Sequence, residues 1–492
     1  MKSLATRKEV KQSDNMISQL PDEILHCILS SLSFDEAVRT SILTKRWIPL
    51  WRHTSGLDFD GTRMIKPLTM LHNLDYNWSM LRAAREYGEI VRDTVLNRHL
   101  NGDLTMCCFR HFHKSLEPGE LEALVQLVVK VYKNLCSLSL ECCFDPRALV
   151  QPFGYMKLNF TPSIFSNLSS LVLNNYVMER ATTSAFEGCE KLTTLKMKKM
   201  IMEEGAVNDV LEKCSSLERF SLIESTGFKK LRICHAGLKF LELRWLIMSE
   251  INVSVEDLQE LVLDSLVCQT KGLKIDVVNV ITFRSYCSSI SKCLEESFLK
   301  TQDILENCSD LFVSRANNIF RNLLCMSIDL DLNSKREALA LSFVLKSCTK
   351  LQSLEITIPV VKDSSSTGNY DDGALPFPKS IFWEKRPIMY NNHDHKLKYV
   401  TVRGFTGKEL EVNFLEHLIT RGTMMEKITI IYNSLVVGKA TYLQSLRRAS
   451  IYLSIILKSQ SKNALIDVAQ VVQDKLSGAT PFGEAFDLHH IG

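Results

Sequence analysis

One pattern recurs along this sequence: a leucine, two residues, an apolar residue, one residue, and another apolar residue. It occurs as Leu135/Leu138/Leu140, Leu168/Leu171/Leu173, Leu192/Leu195/Met197 and Leu217/Phe220/Leu222. It continues at Leu238/Leu241/Leu243, Leu258/Leu261/Leu263 and, more loosely, Val278/Ile281/Phe283. After a degenerate stretch it returns at Leu351/Leu354/Ile356, Leu397/Val400/Val402 and Met425/Ile428/Ile430. From Leu168 the first residues stand 24, 25, 21, 20 and 20 apart. A two-residue alternation at the end of each copy predicts a short strand with one face inward. No single copy can bury its apolar side alone, so the copies must stack.

Those spacings lie in the window of leucine-rich repeats. The 15 cysteines fit the same frame. Cys189, Cys214, Cys308 and Cys348 stand three residues before Leu192, Leu217, Leu311 and Leu351. Val207, Val210, Leu211 and Cys214 share one helical stripe, as do Leu341, Val344, Leu345 and Cys348. Ala185, Phe186 and Cys189 fit the same frame, as do Ile304, Leu305 and Cys308. Free cysteine there behaves as a small hydrophobe. The predicted unit is helix, cysteine corner, strand, giving an α/β solenoid with a parallel strand ladder and helices outside. Its concave strand face suits recognition.

Composition narrows the field. A chain of 492 residues suggests about three domains. An apolar fraction of 45% with 23% charged residues excludes dominant disorder and collagen-like architecture. Lys+Arg 59 against Asp+Glu 56 leaves a net charge of +3 and no electrostatic footprint for a nucleic acid. Few prolines and glycines disfavour a sandwich built on many tight turns. The first residues lack the apolar core of a secretory signal, and no apolar run reaches the length of a membrane span. The expectation is therefore a cytoplasmic or nuclear chain whose cysteines stay thiols.

Residues 17–51 follow a different pattern. Leu20-Pro21-Asp22-Glu23 opens a helix, with proline where no hydrogen bond is lost and two acids at the positive end of the dipole. Ile24, Leu25, Ile28, Leu29 and Leu32 follow on one face. Ser33-Phe34-Asp35-Glu36 reads as a capping box, starting a second helix with Ala37, Val38 and Ile42. Thr44 can cap a third, with Trp47, Leu50 and Trp51 inward. Three helices this short bury little core, so the large side chains need a partner, the solenoid or another chain.

Ile17-Ser18-Gln19-Leu20-Pro21-Asp22-Glu23-Ile24-Leu25, Glu36-Ala37-Val38-Arg39-Thr40-Ser41-Ile42-Leu43-Thr44-Lys45-Arg46-Trp47 and Leu50-Trp51 together resemble the plant F-box. Leu57-Asp58-Phe59-Asp60 resembles the strand that follows the motif in that family. Leu397-Lys398-Tyr399-Val400-Thr401-Val402-Arg403-Gly404-Phe405 and Met425-Glu426-Lys427-Ile428-Thr429-Ile430 resemble the FBD domain. The resemblance, to plant F-box/leucine-rich-repeat/FBD proteins, spans most of the chain. It implies a three-helix F-box at 15–55 after a tail at 1–14. Leucine-rich repeats follow over 56–361, then a polar loop at 362–378. An FBD segment over 379–458 caps the solenoid. The tail at 459–492 has no counterpart in that pattern; the spacing of Leu465, Val468, Val472 and Leu476 predicts a short amphipathic helix there.

The resemblance also implies a role: substrate-recognition subunit of an SCF-type ubiquitin ligase. The F-box docks on a Skp-family adaptor, which joins a cullin and a RING subunit, and the repeats select an unknown protein for ubiquitylation. Carried over to this sequence, adaptor contacts involve Leu20, Pro21, Ile24, Leu25, Ile28 and Leu29, with Val38 and Trp47 supporting that surface. No catalytic residue, cofactor, metal, nucleic acid or membrane partner is expected. A small-molecule-gated receptor and a scaffold outside the ligase are the alternatives.

The chain departs from the family pattern at Pro49, inside the third helix, and at Thr420-Arg421-Gly422-Thr423, where an asparagine-containing turn is usual. Cys107, Cys108, His111 and His113 do not have zinc-ligand spacing; Leu104 to Phe109 alternates like a repeat strand. Lys196-Met197-Lys198-Lys199 alternates likewise, and His393-Asp394-His395 reads as a loop. No phosphate loop, nucleophile elbow or metalloprotease helix occurs. A ubiquitin-carrying thiol would have to be exposed in an electropositive setting, whereas the aligned cysteines are expected in the core.

Overall fold

The structure is a computed structural model that describes residues 17, 20–64, 76–99, 104–112, 119–143, 156–267, 273–277, 279–286, 322–333, 337–338, 341–342, 344–345, 348–359, 383 and 396–460. The tail at 1–14, the Cys308 corner, the loop at 362–378, His113, His393-Asp394-His395 and the tail from 461 lie outside the described residues. The chain divides into two compact units, one of Met1–Gly154 with Phe482–Gly492 and one of Tyr155–Pro481.

The first unit opens with α1 (Asp22–Ser30), α2 (Phe34–Arg39) and α3 (Trp47–Leu50). Pro21 is the residue before α1, and Asp22 and Glu23 occupy its first turn. Glu36 accepts hydrogen bonds from Ser33, but the Ser33 hydroxyl donates to Asp35 and Glu36 instead of accepting from the helix backbone. Only half of the expected capping box therefore forms. Ile42 is not inward: it lies on a separate 3-10 turn, Thr40–Ile42, and is 86% exposed. The six residues of α2 end before its stripe could carry Ile42 back to the core. The α3 helix starts at Trp47, whose N–H donates to the Thr44 carbonyl at 3.0 Å, with no side-chain cap. Pro49 thus falls in the first turn, where a missing N–H costs no helical bond.

Three parallel strands follow: β1 (Gly56–Asp60), β2 (Met106–Phe112) and β3 (Ser137–Cys143). Between them lie α4 (Gly61–Met64), α5 (Tyr76–Asp93) and α6 (Glu120–Val131). The large side chains of the N-terminal helices find their partner here. Phe34 meets Trp51 edge-on at 5.6 Å and Phe59 at 5.3 Å, and Phe59 stacks on Phe109 at 5.6 Å. Each such aromatic pair contributes about 1 kcal/mol beyond its buried area.

The second unit carries a parallel sheet in the order β5 (Ser170–Asn174), β7 (Thr194–Lys198), β9 (Arg219–Ile223), β11 (Phe240–Arg244), β13 (Glu260–Asp264), β15 (Thr282–Tyr286), β16 (Cys325–Asp329), β17 (Ser353–Thr357), β18 (Tyr399–Phe405), β19 (Lys427–Asn433) and β20 (Ser454–Gln460). In the leucine motifs carried by these strands the second and third residues point inward, and Leu171, Leu195, Phe220, Leu241, Leu354, Val400 and Ile428 form one buried row. The loose copy read as Val278/Ile281/Phe283 is out of phase: Phe283 pairs with Leu261 and Ile281 is 39% exposed, so the repeat there is Val280/Phe283/Ser285. Two smaller sheets flank it, β4 (Met156–Lys157)–β6 (Tyr176–Met178)–β8 (Ile201–Met202) and β10 (Lys230–Ile233)–β12 (Glu250–Ser254)–β14 (Leu273–Asp276).

The uniform helix–corner–strand unit needs correcting. Where the period is 24 or 25 residues, the return path is a 3-10 helix (Arg180–Phe186) or α7 (Ala206–Lys213). Where it is 20 to 22 in the observed register, the return carries an extended segment instead, β10, β12 or β14. Chain length decides. Extended backbone covers about 3.3 Å per residue against about 1.5 Å in a helix, so a repeat shorter by four residues spans the same path only when extended.

Two backbone devices lock successive repeats. The corner residue's carbonyl accepts from the motif leucine three residues on: Phe165 from Leu168, Cys189 from Leu192, Cys214 from Leu217, His235 from Leu238 and Cys348 from Leu351. Cys189, Cys214 and Cys348 are all buried there. After each of the main strands β5, β7, β9, β11 and β13 the next residue, Asn175, Lys199, Glu224, Trp245 or Ser265, takes a positive φ. For the first four, the N–H donates to the last residue of the following main strand, as from Trp245 to the Asp264 carbonyl at 2.8 Å.

Two helices complete the second unit, α8 (Glu409–Arg421) and α9 (Val437–Ser445). Glu411 on α8 is fully buried yet satisfied: Thr406 N, Thr406 Oγ1, Gly407 N and Asn333 Nδ2 donate to it at 2.8, 2.6, 2.9 and 2.6 Å. Trp383 donates to the Leu410 carbonyl at 3.2 Å and lies 5.0 Å from Phe414.

Candidate docking face and repeat face

The N-terminal helices divide their apolar residues between two tasks. On α1, Leu25 and Leu29 are buried completely, while Ile24 and Ile28, one residue earlier in each turn, remain 47% and 40% exposed. Residues four apart lie one above the other on a helix, so Ile24 and Ile28 form an outward stripe over an inward one. Pro21 is exposed at its start, and Leu20 and Val38 are half-buried. Trp47 is buried, as are Leu50 and Trp51. Ile17, Ile42, Leu43 and Ile48 are also exposed, concentrating large apolar side chains in one short stretch of sequence. Of the sequence-derived contact residues, then, Pro21, Ile24 and Ile28 are open to a partner, and Leu25, Leu29 and Trp47 hold the helix from beneath.

Arg46 fixes the start of α1, which sequence reasoning missed. Its Nη2 donates to the Leu20 carbonyl at 2.7 Å and its Nε to Asp22 Oδ1 at 3.0 Å. No spacing rule links residue 46 to residue 20, so only the turn before α3 brings them together.

Within the first unit, Arg110 on β2 pairs with Asp58 at 2.9 Å and Asp60 at 3.0 Å on β1, and with Glu141 at 3.8 Å on β3. Burial pushes the Asp58 carboxyl up to about 6, against the pull of Arg110. Cys107 and Cys108 are consecutive strand residues and point to opposite faces of β2. Burial raises both thiols. A raised pKa makes a thiol a poor nucleophile.

The second unit's strands turn polar side chains away from the core. Arg244 Nε and Nη2 both donate to Asp264 Oδ2 at 3.0 Å, and its Nη1 lies 3.3 Å from Glu242. Arg284 pairs with Glu260 at 3.3 Å, Arg403 pairs with Glu355, and Arg219 lies over the Phe240 ring at 4.0 Å. In-register parallel strands build this lattice, because equivalent residues of successive repeats become neighbours. Paired charges and an arginine-covered aromatic ring thus line this side of the strands. Among the described residues no group of three or more His, Cys, Asp or Glu is arranged to hold a metal, and no helix is long and apolar enough to cross a membrane.

Three short helices with an outward apolar stripe, followed in sequence by stacked leucine motifs, form the arrangement of an F-box followed by leucine-rich repeats. Family models agree: the F-box domain matches residues 17–55, and the leucine-rich repeats of FBD-associated F-box protein At5g56370 match residues 148–285. The chain is 27% identical over 452 residues to F-box protein At1g80960 of Arabidopsis thaliana, covering 86% of this chain and 84% of that one. Putative F-box protein At1g67390 of the same plant is 26% identical, covering 85% of each chain. Putative F-box/FBD/LRR-repeat protein At4g03220, also from Arabidopsis thaliana, is 23% identical over 84% of this chain and 88% of its own. The resemblance to plant F-box/leucine-rich-repeat/FBD proteins thus extends along most of the sequence.

Proposed function

We propose that this chain is the substrate-recognition subunit of an SCF-type ubiquitin ligase. The observation that carries the reading is the outward stripe of α1, Ile24 and Ile28 beside Pro21, standing over the buried Leu25 and Leu29. Exposed aliphatic side chains on a helix held rigidly from below suit a helix-in-groove contact. A Skp-family adaptor buries that stripe, with Leu20 and Val38 at its margin, and through the adaptor the chain joins a cullin and a RING subunit. Leu25, Leu29 and Trp47 act as supports, not contacts.

The outward strand face of the repeats then takes a target protein, with Arg219, Phe240, Arg244 and Arg284 among its contact groups. The chain itself contributes no chemistry; ubiquitin transfer belongs to the rest of the complex. Residues 379–458 act as an FBD segment that completes the repeats. The assembly works in the reducing cytoplasm or nucleus, where Cys189, Cys214 and Cys348 remain core thiols.

Co-purification of the full chain with a Skp adaptor and cullin tests this. Ile24→Asp with Ile28→Asp should abolish adaptor capture while leaving the circular dichroism spectrum and melting unchanged. Capture that persists in the folded double variant would overturn the docking face.

A further inference from the structure

The outward face of the second unit's sheet changes charge along its length. On β5, β7 and β9 the inward residues alternate with Ser170, Val172 and Asn174, with Thr194, Lys196 and Lys198, and with Arg219, Ser221 and Ile223. These outward positions carry three cations and no acid. On β11, β13 and β15 the same positions hold Glu242, Arg244, Glu260, Asp264 and Arg284, and those five pair with one another. Glu224, just past β9, lies 3.8 Å from Lys199, the residue after β7. The middle of the face is thus neutralised by its own residues. Among the described residues, a surplus of positive charge stays on two adjacent strands.

Register and spacing say what fits that surplus. Parallel pairing sets Thr194 beside Arg219, Lys196 beside Ser221 and Lys198 beside Ile223. Lys196 and Lys198 stand two residues apart on one strand, and their Cα atoms are separated by about 6.6 Å. An extended peptide repeats its own face at the same interval, so carboxylates at alternate positions match both ammonium groups. The Arg219 guanidinium lies 4.0 Å over the Phe240 ring, a stack that pre-organises a planar fork suited to a carboxylate. All three cations are half-buried, where water screens a matching charge less than on an open surface. A nucleic acid fits less well, because a phosphate backbone continuing across the sheet meets Glu242, Glu260 and Asp264 on the next two strands.

We propose that β7 and β9 bind an extended acidic segment of the target protein, with Lys196, Lys198 and Arg219 receiving its carboxylates. The inference rests on the reading that the outward strand face takes the target, and it names the chemistry of that target. The neutral lattice on β11, β13 and β15 then sets where the acidic segment ends.

Fluorescence anisotropy on the purified full chain tests this, with a labelled alternating Glu-Ser peptide as the probe. The peptide should bind, and binding should weaken as salt rises. A Gln-Ser peptide of the same length should not bind. Lys196→Gln with Lys198→Gln should weaken binding about fivefold or more, and Lys196→Arg with Lys198→Arg should retain it. Lys230→Gln with Lys274→Gln, on the flanking sheet, should leave it unchanged. Undiminished binding by the folded Lys196→Gln, Lys198→Gln variant would overturn the proposal, as would single-stranded RNA of equal charge binding more tightly than the peptide. Capture of a Skp adaptor is scored on the same preparation. Capture without peptide binding overturns this inference alone; peptide binding without capture supports it and overturns the ligase reading.

Discussion

Arg46 and Leu20 are joined by a 2.7 Å hydrogen bond from the guanidinium Nη2 to the backbone carbonyl, which ties the start of α1 to the turn before α3. The same side chain grips Asp22. Both partners are largely solvent-exposed, so the ion pair itself contributes at most about 1 kcal/mol to stability. Its larger effect is to hold the first turn that presents Pro21 and Ile24. Arg46→Ala should therefore leave the melting temperature nearly unchanged yet speed dissociation from a Skp adaptor several-fold, as biolayer interferometry would show.

Glu411 is a test of buried polarity. Removing its carboxylate in Glu411→Ala leaves the Thr406 and Gly407 amides and Asn333 Nδ2 without their acceptor. Orphaned buried donors of this kind cost about 3 kcal/mol in total, and urea unfolding of the second unit should shift accordingly. Glu411→Gln keeps one carbonyl acceptor and should lose less.

His99 and Asp58 give the first unit opposed responses to pH. His99 is buried, with Nε2 2.9 Å from the Thr54 carbonyl and Nδ1 3.1 Å from the Tyr132 hydroxyl. Burial holds its pKa below the usual value of an imidazole, and His53 adds to that. The unfolded chain, titrating near about 6.5, then binds more protons, so stability contributed by neutral His99 is lost as pH falls below that value. Asp58, pushed up to about 6, works the other way. Its folded form holds more protons between about 4 and 6, so its share of stability declines as pH rises through that window. Thermal melts from pH 4 to 8 should show His99→Gln flattening the loss below about 6.5, and Asp58→Asn removing the opposing slope below pH 6.

The repeated left-handed residues store strain. Glu224 holds φ 50 at the end of β9, a region that costs an L-residue about 1 kcal/mol or more. Glu224→Gly should raise the urea midpoint of the second unit, for a gain of up to about 1 kcal/mol. The Lys199–Glu224 contact, 3.8 Å long between side chains only 22% and 21% exposed, is lost in that variant and limits the gain.

The leucine and cysteine positions were legible because burial repeats with the backbone period. Leu192, Leu195 and Met197, or Cys214 and Leu217, could only be inward once the copies stacked. Ile42 was misread for a related reason: the heptad-like continuation from Val38 assumed a helix that in fact stops at Arg39. Glu411 carried no signal at all, since its partner Asn333 is remote in sequence and a lone glutamate reads as a solvated charge.

Taken alone, the sequence determined the phase of most of the main strands, the side of each that turns inward, and the three helices at the start, because these depend on local periodicity and the chemistry of single residues; the flanking strands, β16 and β20 carried no such motif. The spacing of the motifs already carried the difference between helical and extended return paths, but only the tertiary structure showed it, by fixing the distance each repeat must cover. It also decided which face of α1 stays open, because Leu25 and Leu29 are claimed by the core and Ile24 and Ile28 are not. The Arg244–Asp264 and Arg46–Leu20 contacts belong to the same class. They join residues that meet only when separate segments pack, and no periodicity in the sequence encodes that meeting.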